Sequence, residues 1–217
     1  MRTIFIETRK KFNSSEINFS ILDKLPGNKI SLAATVQYLD IIPQIKKYLE
    51  SIGKKVFLKK GAKYLGHVLG CNSSALDLSA DTFLLITDGK FHGINNAIQL
   101  NKEIYIFDTR NLEKIDKGIL EDYRKKIIGK KKKFLLSDTI GLIQSSKPGQ
   151  KNTAINTIKE KIEKLNKEVF VFECDNIDTK EFENFPQIKI WVNTACFGLA
   201  RDDTRIINLT DILEYIN

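Results

Sequence analysis

KISLAATVQYLDIIPQIKKYLESIGKKVFL, residues 29–58, and TIGLIQSSKPGQKNTAINTIKEKIEKLNKEVFVFE, residues 139–173, share one plan. Each opens with an apolar run, passes through a glutamine-bearing loop, continues as an amphipathic stretch and returns through a turn to a second apolar run. In the first copy Ile41, Ile42, Ile45, Tyr48, Leu49 and Ile52 recur at helical spacing, which gives one apolar stripe to lay on a sheet. A third apolar run follows in both copies, DTFLLITDGKFHG at 81–93 and IKIWVNTACFG at 188–198, and both end in polar loops holding small residues. The fold class expected is α/β: two similar parallel-sheet units with helices on both faces, each of about 100 residues.

Working outward from the repeat, strands are expected over 3–6, 29–34, 55–58, 82–87, 103–107, 139–144, 168–172 and 188–193. The joint between units falls around 130–138, giving a first unit over 29–134 and a second over 135–217. Residues 1–28 fit neither unit, so the strand at 3–6 is expected to join the first sheet or cap its edge.

With 217 residues, 42% of them apolar and 29% charged, the chain has the balance of a globular protein. No stretch reaches the roughly 18 apolar residues that span a bilayer, and the apolar run near the N-terminus is too short for a signal peptide, so the reading is cytoplasmic with no membrane partner. Three cysteines do not make a disulfide framework. The net charge of +8 favours acidic partners, yet the densest lysine run, 130–133, follows Gly129 where a helical pattern should end, and cations at that place answer a helix dipole. No aromatic residues interleave it, so direct nucleic-acid binding is not indicated.

Parallel sheets collect ligands at the carboxyl ends of their strands. There the sequence puts Thr35 and Gln37, then Asp88, Gly89, Lys90 and His92, and in the second unit Ser145, Lys147, Gly149, Gln150 and Cys196. DGKFHG joins an acid, a cation and an imidazole in one loop, suited to a ligand bearing both amine and carboxylate; the alternative is that Asp88 caps the next helix while His92 packs on its first turn. GHVLGC, 66–71, precedes Asn72 and Ser73, either of which could cap a short helix reaching Leu78 and leave Cys71 at its N-terminus, where a thiolate is stabilised. A small buried thiol is the plainer reading of either cysteine. No two cysteines lie within four residues and only His67 and His92 exist, which argues against a zinc finger. An iron–sulfur cluster needs convergence in space and is not tested by spacing. SSKPGQ lacks the full P-loop pattern.

Taken together, TVQY (35–38), GHVLGC (66–71), DGKFH (88–92), KPGQ (147–150) and VNTAC (192–196) resemble the archaeal diphthamide synthase family in order and loop placement. The resemblance implies three homologous α/β domains, each giving one cysteine to a 4Fe-4S cluster. It also implies cleavage of S-adenosylmethionine to a 3-amino-3-carboxypropyl radical, and its addition to a histidine of translation elongation factor 2. Matched motif by motif, Cys71 takes the second domain's metal-ligand role and Cys196 the third's. Gln37, Asp88, Lys90, His92 and Gln150 are then expected near the S-adenosylmethionine site.

This sequence departs from the pattern in three places. Residues 1–26 resemble only the tail of the family's first domain, so a third thiolate would come from Cys174, from a partner chain that supplies the missing domain in a homo- or hetero-oligomer, or from nowhere. Cys174, in VFECDN, matches no family ligand. CFGLARDD stands where the family has Cys-Pro-Arg, with Arg201 the nearest arginine. The alternative reading is a non-catalytic relative that serves as a binding or accessory subunit.

Overall fold

The computed structural model describes Ile4 and residues 6–216. Of the expected strand at 3–6, residues 3 and 5 lie outside the described residues, while Ile4 and Ile6 belong to no strand and are exposed. Chain contacts divide the protein into two compact units, Met1–Leu120 and Glu121–Asn217. That division falls inside a twenty-residue helix, α3 (Lys117–Leu136), whereas the sequence reading places the joint after residue 134.

In the first unit β1 (Lys29–Ala34), β2 (Lys55–Phe57), β3 (Thr82–Ile86), β4 (Ile104–Phe107) and β5 (Leu112–Ile115) form one sheet in the order β2-β1-β3-β4-β5. The first four strands are parallel, and β5 runs antiparallel to β4. Residues 30–34 and all of β3 are buried, as expected of strands covered on both faces. On one face Leu32, Ala34 and Ile86 meet Ile45 and Leu49 of α1 (Ile42–Ser51); on the other Ala33, Leu85 and Ile106 meet Ala97 of α2 (Phe91–Leu100). Ile17, Leu22 and Leu25 belong to the α1-side core, so the segment N-terminal to β1 is packed into this unit.

In the second unit β6 (Thr139–Ser145), β7 (Glu168–Cys174), β8 (Ile190–Asn193) and β9 (Ile206–Asn208) pair in the order β7-β6-β8-β9, all parallel. This is the strand order of β1 to β4, so the repeat seen in the sequence is a repeat of topology. Ile158 and Ile162 of α4 (Ile155–Glu163) cover one face with Ile140, Leu142 and Val192. Trp191, Phe182, Ile143 and Ile206 build the other, with Ala200 of the short helix α5 (Leu199–Asp202).

Three sequence expectations change. β5 adds an antiparallel edge to a sheet expected to be parallel, through the short alternating segment LEKI. β9, only three residues long, carries too little pattern to be read from sequence. The lysine run also lies within α3 rather than past its end, because Gly129 keeps ordinary helical backbone with open space where a side chain would stand. Lys130 is buried and donates from Nζ to the carbonyl oxygen of Ala200, while Lys131 pairs with Glu214 at 2.6 Å.

Candidate functional site

At the carboxyl end of β1 the chain does not leave the sheet cleanly. Ala34 donates to the Gly66 carbonyl at 2.8 Å and Val68 donates to Ala34 at 3.0 Å, so GHVLGC runs alongside the strand end. Gly66 has φ +74°, and an added Cβ would stand 2.7 Å from Ile42, which leaves glycine as the residue that fits. Leu69 and Asn72 then exchange main-chain hydrogen bonds at 3.0 and 3.2 Å, closing a tight turn with Cys71 near its tip, exposed. The expected short helix after Cys71 is absent: Asn72 turns its side-chain oxygen to the Ser74 N–H at 2.9 Å and the segment continues as turns. The dipole expected from that helix is therefore not there to act on the Cys71 sulfur.

What holds this turn comes from α2. Buried Asn96 donates from Nδ2 to the Leu69 carbonyl at 3.0 Å and to the His92 carbonyl at 2.8 Å, and Gln99 donates to the Gly70 carbonyl at 2.8 Å.

The remaining first-unit candidates gather at the ends of β1 and β3, where Thr35 donates to the Ile86 carbonyl at 3.1 Å. The Gln37 carbonyl accepts from the Lys10 main chain at 2.9 Å. Asp88 makes an ion pair with Lys10 instead of capping α2, whose N-cap is Lys90 with no side-chain cap. Lys90 pairs with Glu113 on β5. His92 sits in the first turn of α2, edge-on to Phe91, and burial pushes its imidazole below the ordinary histidine range, favouring the neutral ring.

In the second unit the Ser145 hydroxyl accepts from the Lys147 N–H at 3.2 Å, and the Gln150 N–H closes the KPGQ turn on the Lys147 carbonyl at 3.0 Å. Gln150 is exposed. Gln144, buried, donates to Glu173 at 2.6 Å, and Lys151 reaches the other Glu173 oxygen at 2.9 Å.

Cys196, half-buried, lies in a turn after β8. Asn193 accepts from the Ala195 N–H at 3.0 Å and donates to the Cys196 carbonyl at 2.9 Å. Asn208 donates to the Phe197 carbonyl at 3.2 Å, and Lys130 holds Ala200. Three carbonyls of one short stretch are thus tied inward by side chains that are all buried. Arg201 places its Nε and Nη2 on the Asp202 carboxylate at 3.1 Å each, so its guanidinium is engaged by its own neighbour.

The two motif cysteines occupy different places in the repeat, Cys71 between β2 and β3 and Cys196 after β8, the counterpart of β3. Cys174 ends β7, and burial together with the adjacent Asp175 pushes its thiol above the ordinary range, away from a thiolate. Among the described residues no three His, Cys, Asp or Glu side chains gather as a metal site. The donors fit an iron–sulfur cluster in kind: two thiols in turns whose main chain is fixed by side-chain amides. Asn96, Gln99 and Asn208 escaped the sequence reading, and Lys130 figures there only as part of a run answering a helix dipole. The one local signal was the adjacent polar pair Asn95-Asn96 in the middle of α2.

A mostly parallel α/β protein that presents a held cysteine turn at the strand ends of each unit is defined as a class by fold and site alone. The particular family follows from comparison: the chain belongs to the diphthamide synthesis protein family, whose model matches residues 1–206. It is 28% identical over 210 residues to the 2-(3-amino-3-carboxypropyl)histidine synthase of Pyrococcus horikoshii, covering 93% of this chain and 60% of that protein. It is 25% identical to subunit 1 of the Caenorhabditis elegans synthase, with 92% and 52% covered. The crystal structure of Dph2 from Pyrococcus horikoshii superposes with a TM-score of 0.78 at 25% identity, covering 90% of this chain and 59% of that one. A second structure of that protein, with a 4Fe-4S cluster, gives 0.78 at 26% identity. The chain therefore spans between about half and three-fifths of the relatives it matches. Among the described residues no helix is long and apolar enough to cross a membrane.

Proposed function

We propose that this chain acts in diphthamide biosynthesis as a 2-(3-amino-3-carboxypropyl)histidine synthase or a subunit of one. In this reading it transfers the 3-amino-3-carboxypropyl group of S-adenosylmethionine to a histidine of translation elongation factor 2. Cys71 and Cys196 would hold a 4Fe-4S cluster, which when bound supplies the electron for cleaving a carbon–sulfur bond of the substrate. Gln37, Asp88, Lys90, His92 and Gln150 lie on the substrate side, and neutral His92 offers a ring nitrogen as a proton acceptor. The observation that carries the reading is that both motif cysteines, and not Cys174, stand in turns whose carbonyls are pinned by amide side chains. Two cysteines leave such a cluster short of a third thiolate, and a homo- or hetero-oligomer that supplies one is part of the proposal. The setting would be the cytoplasm, where the elongation factor works.

Anaerobic reconstitution tests this directly. Brown protein, with iron lost in Cys71→Ala and in Cys196→Ala but kept in Cys174→Ala, is the expected result. Protein that stays colourless both alone and with a candidate partner would overturn it.

A second reading, a non-catalytic accessory subunit, has its own observation: Phe197 and Gly198 replace the family's Pro-Arg, and Arg201 is engaged by Asp202. It predicts that the elongation factor is captured equally by the parent chain and by both cysteine variants, with no iron in any of them.

A further inference from the structure

Residues 7–12 lie across the carboxyl end of the first sheet and reach the TVQY and DGKFH loops and the segment just before GHVLGC. Glu7 accepts from the Tyr64 hydroxyl at 2.7 and 2.9 Å and pairs with Lys63 at 2.5 Å. Arg9 pairs with Asp40 at 2.6 Å and stands 4.9 Å above the Tyr64 ring. The Lys10 N–H is bound by the Gln37 carbonyl at 2.9 Å, and Phe12 stacks on Tyr38 with centroids 5.3 Å apart. With the main chain held on both sides, the Lys10 ammonium comes 3.0 Å from the Tyr38 hydroxyl and pairs with Asp88.

Two features separate this pair from an ordinary surface ion pair. It sits where β1 and β3 end, among the residues expected to face a ligand. It also replaces the cation that DGKFH itself carries, since Lys90 is drawn to Glu113. The pair is half open to water, with side-chain exposures of 45% for Lys10 and 60% for Asp88, so separating its partners costs little. A positive and a negative group at hydrogen-bond distance, with a phenol hydroxyl beside them, complement a zwitterionic α-amino carboxylate.

We infer that Lys10 and Asp88 read the amino-acid end of the nucleoside substrate. Lys10 and the Tyr38 hydroxyl take its carboxylate, Asp88 takes its ammonium, and Lys10 is the residue that sets specificity for a ligand carrying that end. This rests on the reading that the chain binds S-adenosylmethionine, and it adds a residue from a segment that none of the five motifs includes.

The test uses the full chain and two probes that share the nucleoside but differ in the part at issue. S-adenosylhomocysteine carries the amino-acid end; 5′-methylthioadenosine lacks it. Titration calorimetry on Lys10→Met and Asp88→Asn is expected to weaken S-adenosylhomocysteine by about tenfold or more while 5′-methylthioadenosine changes less than about twofold. Lys10→Arg should recover most of the affinity. If Lys10→Met binds S-adenosylhomocysteine as the parent does, or loses both probes equally, the assignment is wrong although the nucleoside site stands. If the parent binds neither probe, with or without reconstituted cluster, the functional reading fails and takes this inference with it.

Discussion

Asn193 and Asn208 face each other across β8 and β9, joined by a buried side-chain hydrogen bond of 2.8 Å. Each uses its remaining capacity on the turn that carries Cys196, one on the Cys196 carbonyl and the other on that of Phe197. A buried amide pair whose free valences all end on one turn fixes that turn's main chain, and with it the direction of the thiol.

Asn208→Ala should therefore loosen Cys196 selectively. It leaves the Phe197 carbonyl and part of the Asn193 amide without partners, at a stability cost of about 1–3 kcal/mol. Alkylation of cluster-free protein, followed residue by residue by mass spectrometry, should show the Cys196 rate altered several-fold with Cys71 unchanged. Equal rates in parent and variant would show that the amide pair does not position the thiol.

Cys174 gives the opposite expectation. With its thiol held neutral by burial and by Asp175, its alkylation should rise only at higher pH than for an ordinary cysteine, and Asp175→Asn should bring that rise down. Loss of iron in Cys174→Ala would show instead that this thiol is recruited as a ligand.

Much of the fold was legible because it repeats. An apolar run, an amphipathic stripe and a second run recur at 29–58 and 139–173, and matching local patterns gave matching strand orders. β5 and β9 were not legible, since three or four residues of edge strand owe their state to the neighbour they pair with. The cysteine turns were visible as motifs but their supports were not. Asn96 reaches back 27 positions to Leu69, and Lys130 reaches 70 forward to Ala200, distances at which local periodicity says nothing. The helix expected after Cys71 failed for a related reason: Asn72 satisfies a local turn, and Leu76 is drawn into the α2-side core without regular helix.

Acid should weaken the first unit. His67 is buried with neither ring nitrogen hydrogen-bonded to the protein, and burial lowers its proton affinity as it does that of His92. A histidine depressed in the folded state contributes nothing adverse above its unfolded value of about 6.5; its penalty grows as pH falls from there toward the folded value and is complete below it. Urea melts should accordingly show stability declining below about pH 6.5, with the slope reduced in His67→Phe. A parent curve flat from pH 7 to pH 5 would contradict this.

Two glycines make a paired test of packing with opposite signs. Gly141 lies under Trp191: an added Cβ would stand 2.3 Å from the indole ring, which is stacked on Phe182 at 4.0 Å. Gly141→Ala should cost about 1–3 kcal/mol through overpacking and should red-shift Trp191 fluorescence as the ring is displaced toward water. Gly129 lies inside α3 with nothing within 4 Å of the added atom, so Gly129→Ala should stabilise by about 0.5–1 kcal/mol through helix propensity alone. Thermal melts of both variants decide the matter, because α3 could break at Gly129 or Trp191 could sit off Gly141 only if the signs came out reversed.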